Sequence, residues 1–470
     1  MSTPSPFRPV LEHALGHALS YLDGLERSPV AASASLAELR AQLLKPLAQA
    51  GLPAAQVIDE LVRDTAGGIT GSAGGRFFGW VIGGSLPAAL AADWLTSTWD
   101  QNSASYSCAP AQAVIEEACG AWLKELLGLP AQASFALTSG CQMAHVTALA
   151  SARNALLARR GWNVERDGLC GAPRLRVLSG DQYHGSITRA TRLLGMGTGA
   201  VRGLPVNAAG QLDAATLEQA LLADSDTPTI VLLQAGDLNI GAYDNFAELV
   251  PLAHRHQAWV HVDGAFGLWA NASARHRHLL AGVEQADSWA TDGHKWLNVP
   301  YDSGFAFIAH PEAHRAAMSY EASYISHNDE VREQKDWNPD WSRRARGAAT
   351  YAALRQLGHE GVAALVGNCC DAAAALVRGI AALPGAQLVW TPQINQGLVR
   401  FLDRRAGASE DDHDRYTDAV TELVLASGEA LFSNTTWRGK RCMRVSVCNW
   451  QTNADDVARA VAAVAAALQG

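Results

Sequence analysis

The chain has 470 residues, 48% of them hydrophobic and 18% charged, which suits a globular protein of two or three domains around a sizeable core and excludes a small stapled scaffold. A formal net charge of -9, with no run of Lys or Arg, gives no long-range attraction for nucleic acid or anionic lipid, so no nucleic-acid partner is expected. The eight cysteines are scattered without a C-x-x-C pair, the first residues lack the pattern of a secretory leader, and nothing approaches the roughly 18 uncharged apolar residues of a membrane span, so a cytoplasmic protein with reduced thiols and no membrane segment is expected.

In chain order, residues 1 to about 66 carry helical apolar spacing, as in Leu36, Leu39, Leu43 and Leu47, punctuated by Pro and Gly. Such a segment has too little apolar mass to fold alone, so residues 1–78 are expected to form an arm lying across the body or across a second subunit. The Gly-rich stretch GGITGSAGGRFFGWVIGG, Gly67 to Gly84, reads as a loop that approaches something closely, and Pro87 opens a helical segment through Trp94. From Ser134 short apolar runs alternate with helical stretches: SFALT, a helix from about Cys141 to Arg159, RLRVLS, a helix after His184, TIVLLQ, a helix around Phe246 to His256, WVHVD and GFAFIA. This alternation predicts an α/β fold over residues 79–355, a large domain whose mostly parallel sheet is covered by helices on both faces. A polar segment from Tyr320 to Trp341 lacks apolar periodicity and reads as a lid. Residues 356–470 predict a smaller α+β domain, with Ala-rich helices near Gly361 to Leu383 and Asp455 to Leu468 around the strand candidates QLVWT, GLVRFL and MRVSV.

Ligands of open α/β sheets collect beyond the carboxyl ends of strands, and the unusual polar groups of this sequence fall there. WVHVDGAF puts Asp263 just after an apolar run, and DSWATDGHKWLNVP puts Lys295 after another candidate strand. An amine that forms an imine with an aldehyde and a carboxylate that keeps a pyridine nitrogen protonated are what pyridoxal 5′-phosphate requires. Singly, Asp263 reads as a turn residue and Lys295 as an exposed charge; together they point to that cofactor. TSGCQMAH, Thr138 to His145, follows SFALT and opens a helix, so the N–H groups of Gly140 and Cys141 are placed for a phosphate, where an isolated segment reads as an ordinary turn. His184, after RLRVLS, can stack on a flat aromatic ring, although a lone histidine is more often a structural donor. GRFFGWVIGG offers Arg76, Phe77, Phe78 and Trp80 to a substrate pocket, with a buried aromatic cluster as the alternative.

These residues resemble the pyridoxal-phosphate-dependent group II amino-acid decarboxylases, the family of aromatic-amino-acid and glutamate decarboxylases, from about Arg76 to Val461. HVDGAF and GHKWLNVPYD are the most specific pieces. The resemblance implies a fold type I, aspartate aminotransferase-like architecture and conversion of an L-amino acid to its amine and carbon dioxide. It implies Lys295 as the Schiff-base lysine, Asp263 as the pyridinium partner, His184 as the stacking residue, Ala265 as the small residue beneath the ring, and Gly140 and Cys141 at the phosphate. His294 matches a residue beside the phosphate and the substrate carboxylate, and Tyr324, in ASYISH, matches the mobile-loop tyrosine that returns a proton to the substrate carbon. Arg343, Arg344 and Arg346 match the family's Arg-Arg-x-Arg run, Arg343 being counted at the substrate. A homodimer with shared active sites is implied as well. Two departures stand out: AGDLNIGAYD has Asp237 and Leu238 where hydroxyls are common, and Gln142 stands where Glu often follows the phosphate turn.

The cofactor residues alone do not select the bond that breaks, so an aminotransferase or a carbon–carbon lyase on the same scaffold stays open, as does a binding protein without catalysis. A hydroxyl at Tyr324 favours plain decarboxylation by resemblance. GMGTGAVRG, Gly195 to Gly203, has the glycines of a dinucleotide loop but follows a helix and precedes a strand, the reverse of the required order, and reads as a turn. The pairs His254/His256 and His276/His278 put residues two apart on different faces of a helix, so no metal site is expected. The residues select no particular amino acid.

Overall fold

The amino-terminal arm forms three helices, α1 (Phe7–Gly24), α2 (Leu36–Leu43) and α3 (Ala54–Thr65), in the computed structural model, which describes residues 5–320 and 331–469. Ser35 starts α2 by accepting the Glu38 N–H while Glu38 accepts the Ser35 N–H, satisfying two donors that the helix leaves open. Among the described residues only Asp64 is buried within these three helices, and Leu11, Leu15, Leu19 and Leu22 form an exposed stripe along α1. Pro87 and Pro110 open α4 (Pro87–Trp99) and α5 (Pro110–Leu127) at positions where the missing N–H leaves no helical bond unmade.

The alternating segment then runs β1 (Ser134–Thr138), α6 (Cys141–Ala158), α7 (Val164–Asp167), β2 (Arg176–Gly180), α8 (Gly185–Leu193), β3 (Val201–Leu204), α9 (Ala214–Leu222), β4 (Thr229–Gln234), α10 (Phe246–Arg255), β5 (Trp259–Asp263), β6 (Ser288–Asp292), β7 (Gly304–Ile308) and α11 (Pro311–Met318). Among the described residues these strands make one seven-stranded sheet in the order β1-β7-β6-β5-β4-β2-β3. Only β7 runs against its neighbours β1 and β6; the remaining pairs are parallel. Every residue of β1, β4, β5, β6 and β7 is buried, because helices cover both faces. The Gly195–Gly203 stretch turns from α8 into β3, whose half-exposed edge position closes the sheet. A side chain at Gly304 would collide with the backbone of Gly140, so β7 closes against the turn after β1 only with glycine.

The carboxyl-terminal part contains α12 (Gly347–Ala381), β8 (Ala386–Trp390), β9 (Gln396–Phe401), α13 (Glu410–Ser427), β10 (Ser433–Trp437), β11 (Lys440–Ser446) and α14 (Ala454–Ala467). Its antiparallel sheet has the order β10-β11-β9-β8. Gly358, at φ 59°, interrupts α12 close to the expected start of the smaller domain. By length and composition α12 is apolar enough to cross a membrane, although Arg355, Glu360, Asp371 and Arg378 leave no 18-residue stretch of it uncharged. Its Ala-rich surface instead packs on α4, α5 and α14, with Val362, Leu365, Val366, Leu376 and Val377 in the core. None of the eight cysteines is paired.

Candidate active site

The carboxyl ends of β1, β2, β4, β5 and β6 open on one cavity of about 630 Å³, within the range of small-molecule sites. Lys295, Asp263, His184, His294, Ala265, Gly140 and Cys141 all line it, together with Trp80 from the Gly-rich stretch and Arg444 from β11. That stretch does approach something closely: a Cβ at Gly83 would collide with the carbonyl oxygen of Lys295. At the same wall Trp80 and Val81 hold φ values of 52° and 105°, a strained conformation for non-glycine residues at about 1–3 kcal/mol each.

Lys295 sits on the turn after β6, with Nζ 3.0 Å from Asp292 Oδ2. Burial alone would lower its amine, but the adjoining Asp292 carboxylate, helped by Cys141 and Asp263, outweighs it and raises the amine above its ordinary range. The Cys141 N–H donates to Asp292 Oδ1 at 2.5 Å, so this amide meets a carboxylate of the chain rather than standing open for a phosphate. The cause is the positive end of α6, which favours any anion placed there. His294 accepts the Ser303 N–H on Nδ1 at 3.2 Å, leaving Nε2 to carry its hydrogen toward Asp292 Oδ1, 3.5 Å away. Burial lowers its imidazole, and Tyr301 stacks on it at 4.2 Å and 25°.

Asp263 ends β5, buried, with the Ala265 N–H donating to Oδ1 at 3.2 Å and His145 Nε2 at 3.6 Å from Oδ2. His184 caps α8, its Nδ1 2.8 Å from Ser186 Oγ, leaving the ring on the cavity wall. Asp237 turns away from the cavity: its oxygens accept the N–H groups of Asn239, Ile240 and Ala242 and tie the loop after β4, while Leu238 lines the wall.

Four expected substrate residues lie elsewhere. Arg76 is buried with its fork donating to the carbonyls of Glu26, Ser28, Gly428 and Glu429, stapling the arm to the smaller domain. Phe77 and Phe78 are core residues, because the Arg76–Phe78 segment runs beside Leu431 and hydrogen-bonds to it and to Ser446. Arg343 is fully buried, its Nη1 2.5 Å from Glu116 Oε1 and its Nη2 donating to the Leu137 carbonyl at 2.7 Å, which joins α5 to β1. Arg344 and Arg346 pair with Asp93 and Asp302. Tyr324 lies outside the described residues.

Lining residues that the sequence did not single out include Asp292, Tyr301, His145 and Arg444. Arg444 carried a signal, a charge inside the apolar run MRVSV that a buried strand tolerates only for a reason. Its Nη1 donates to the Leu238 carbonyl at 3.0 Å, and its Nε is buried without a hydrogen-bond partner among the described residues. Of the paired histidines, His254 holds Asp287 at 3.0 Å and His276 holds Ser273 at 3.0 Å. On the arm, His13 and His17 both meet Asp59 Oδ1, at 2.6 and 2.9 Å.

This donor set fits pyridoxal phosphate. The amine, the buried carboxylate, an aromatic ring at His184 and the small Ala265 share one cavity, and the unpartnered Arg444 Nε and the Gly140 turn offer donors to anionic groups. Asp292 competes with a phosphate for the end of α6.

A family model, pyridoxal-dependent decarboxylase conserved domain, matches residues 38–403. Tryptophan decarboxylase 1 of Oryza sativa subsp. japonica is 29% identical over 474 residues, covering 94% of this chain and 89% of that protein. L-2,4-diaminobutyrate decarboxylase of Rhizobium meliloti is 27% identical, covering 80% of this chain and 74% of that protein. The crystal structure of Oryza sativa TDC with PLP and tryptamine superimposes with a TM-score of 0.92 at 24% identity, covering 100% of this chain and 99% of that one, a likeness of fold.

Proposed function

Because the chain belongs to the pyridoxal-dependent decarboxylase family and is a pyridoxal-phosphate-dependent amino-acid decarboxylase, we propose that its substrate is an aromatic L-amino acid and that two copies assemble around the active sites. The observation that carries the substrate reading is the wall beyond Lys295, where Trp80, Val81, Ile82, Leu238, Phe266 and Tyr301 present apolar and ring surface. Among the described residues the lining has no carboxylate to pair with a basic side chain besides Asp263, assigned here to the ring nitrogen, and Asp292, held by the Cys141 N–H and Lys295. The name of the rice relative, a tryptophan decarboxylase, supports the same class.

The cofactor, when bound, supplies an aldehyde for the substrate amine and a protonated ring that draws electrons from the bond to the carboxylate. Asp263 would hold the proton at the ring nitrogen, and His184 and Ala265, on the cavity walls, would confine the ring. Lys295 Nζ must lose a proton before it acts as a nucleophile, and the Asp292 carboxylate, 3.0 Å away, holds that proton on the amine until the charge beside it is offset. Arg444, the lining's permanent cation among the described residues, would orient the substrate carboxylate. By the family resemblance, Tyr324 would return the proton to the substrate carbon.

Carbon dioxide release and amine formation are to be measured across the common amino acids and 2,4-diaminobutyrate. Turnover of Trp, Tyr or Phe is expected; turnover confined to diaminobutyrate or glutamate overturns the substrate reading. The exposed leucine stripe of the arm supports the dimer. Sedimentation is expected to give twice the chain mass, and a monomer at micromolar concentration overturns it.

A further inference from the structure

Trp259, His261 and Asp263 alternate onto one face of β5, the face that α6 covers, and His145 stands one turn after Cys141 on α6. Ser288 is the cross-strand neighbour of His261 on β6. The polar atoms of these residues form a line. Trp259 Nε1 lies 2.9 Å from Ser288 Oγ, Ser288 Oγ 2.9 Å from His261 Nδ1, His261 Nε2 2.9 Å from His145 Nδ1, and His145 Nε2 3.6 Å from Asp263 Oδ2. Trp259, Ser288, His261 and His145 are buried completely or nearly so.

The two ends give the line a direction. An indole N–H only donates, so Ser288 accepts there and its own hydrogen is free for His261 Nδ1. A carboxylate only accepts, so His145 favours an N–H at Nε2, which leaves its Nδ1 lone pair to take the His261 Nε2–H. In the reversed line, Cys141 Sγ, 3.4 Å from the same Nε2, would donate a weak S–H. The His145 lone pair would then face the Asp263 oxygen in a low-dielectric interior that does little to damp the repulsion. Burial pushes both imidazoles down to about 3, so neither carries a second proton.

We infer that His145 is the positioning residue for Asp263, the last member of a one-way line of donors that begins at Trp259 and brings an Nε2–H beside Oδ2. At 3.6 Å this last link is a charge–dipole contact rather than a hydrogen bond, and the Ala265 N–H holds the other oxygen. Together they fix the aim of the carboxylate into the cavity. A neutral donor does this without a full positive charge that would compete with the protonated ring. The inference rests on the reading of Asp263 as the partner of the ring nitrogen.

The test uses the holoenzyme, once with ¹⁵N-labelled histidine and once with a ¹⁵N-labelled cofactor ring. His145 and His261, assigned against His145→Gln and His261→Gln, are expected as neutral Nε2–H tautomers at neutral pH. His145→Leu is expected to leave the ring nitrogen partly unprotonated and to retain the cofactor about tenfold less tightly, the effect of one donor lost from a charged acceptor. His145→Gln, which restores an amide N–H, recovers both. A merely structural histidine would lower the melting temperature of the leucine variant without moving the ring-nitrogen signal. An Nδ1–H tautomer at His145, or a ring nitrogen equally protonated in wild type and His145→Leu, overturns the line of donors. A wild-type ring nitrogen without a proton overturns the role of Asp263 instead. Should His145→Leu not fold, the wild-type tautomers decide.

Discussion

Buried carboxylates stand at both ends of the large sheet, and the two ends treat them differently. At the amino end of β6, Asp287 accepts from the Val260 N–H at 2.7 Å and meets His254 and His310 at 3.0 and 2.7 Å. Burial alone would raise its carboxyl, but the two histidines and the backbone donor outweigh burial and push it down to about 2. At the carboxyl end, Asp263 has one backbone donor at 3.2 Å and a histidine at 3.6 Å, and it faces the cavity. A carboxylate whose oxygens are fully engaged joins secondary elements; one left under-engaged beside a cavity is available to a ligand.

The largest expected effect separates these two ends by activity. Lys295→Ala is expected to reduce carbon dioxide release by on the order of a thousandfold or more, through loss of the nucleophilic amine. Its urea midpoint without cofactor should move far less than that of Asp287→Asn. Comparable loss of stability in both variants would erase the distinction. Asp287→Asn works the other way: the rate per folded molecule stays the same while stability falls by about 2 kcal/mol. Solvent screens these pairs in part, because His254 and His310 are 39% and 45% exposed. The sign follows from the depressed carboxyl: its contribution is fully present above the unfolded value near ~4 and is lost as pH falls toward about 2. The gap between wild type and variant in urea melts is therefore expected to close below about pH 4.

The sheet is legible in the sequence because its strands, even β1 at the edge, are buried on both faces and read as short, largely apolar runs, SFALT, TIVLLQ and WVHVD. SNTTW is not legible as β10: only Trp437 is buried, and pairing with β11 supplies the conformation that its composition does not. Lys295 and Asp263 are legible because an amine and a carboxylate at strand ends already specify a chemistry. His145 is not, and Arg444 shows only as a charge inside an apolar run, since each takes its role from a partner that only folding brings near, His261 for one and the Leu238 carbonyl for the other. The Arg76–Phe78 segment misleads for the same reason: its residue types suit a pocket wall, and the contact with Leu431 makes it a strap.

The smallest expected effect tests whether Asp292 belongs with the under-engaged carboxylates or with Asp287. It meets the Cys141 N–H, His294 and Lys295, so it is engaged, yet its partners are the groups that must handle the cofactor. Asp292→Asn keeps an amide oxygen for the Cys141 N–H but removes the negative charge that raises the Lys295 amine. Burial then dominates at Lys295 and lowers the amine, so more of it is neutral at a given pH. In wild type the rate of cofactor uptake, followed by stopped-flow absorbance, should climb about tenfold per pH unit through the neutral range, because the reactive neutral fraction of an amine with a raised value grows that way. In Asp292→Asn the climb should level off at lower pH, with uptake about tenfold faster at pH ~7, and the loss of a charge competing with the phosphate adds in the same direction. An unchanged profile would place Asp292 with Asp287, as a joint between β6 and α6 rather than a participant in loading the site.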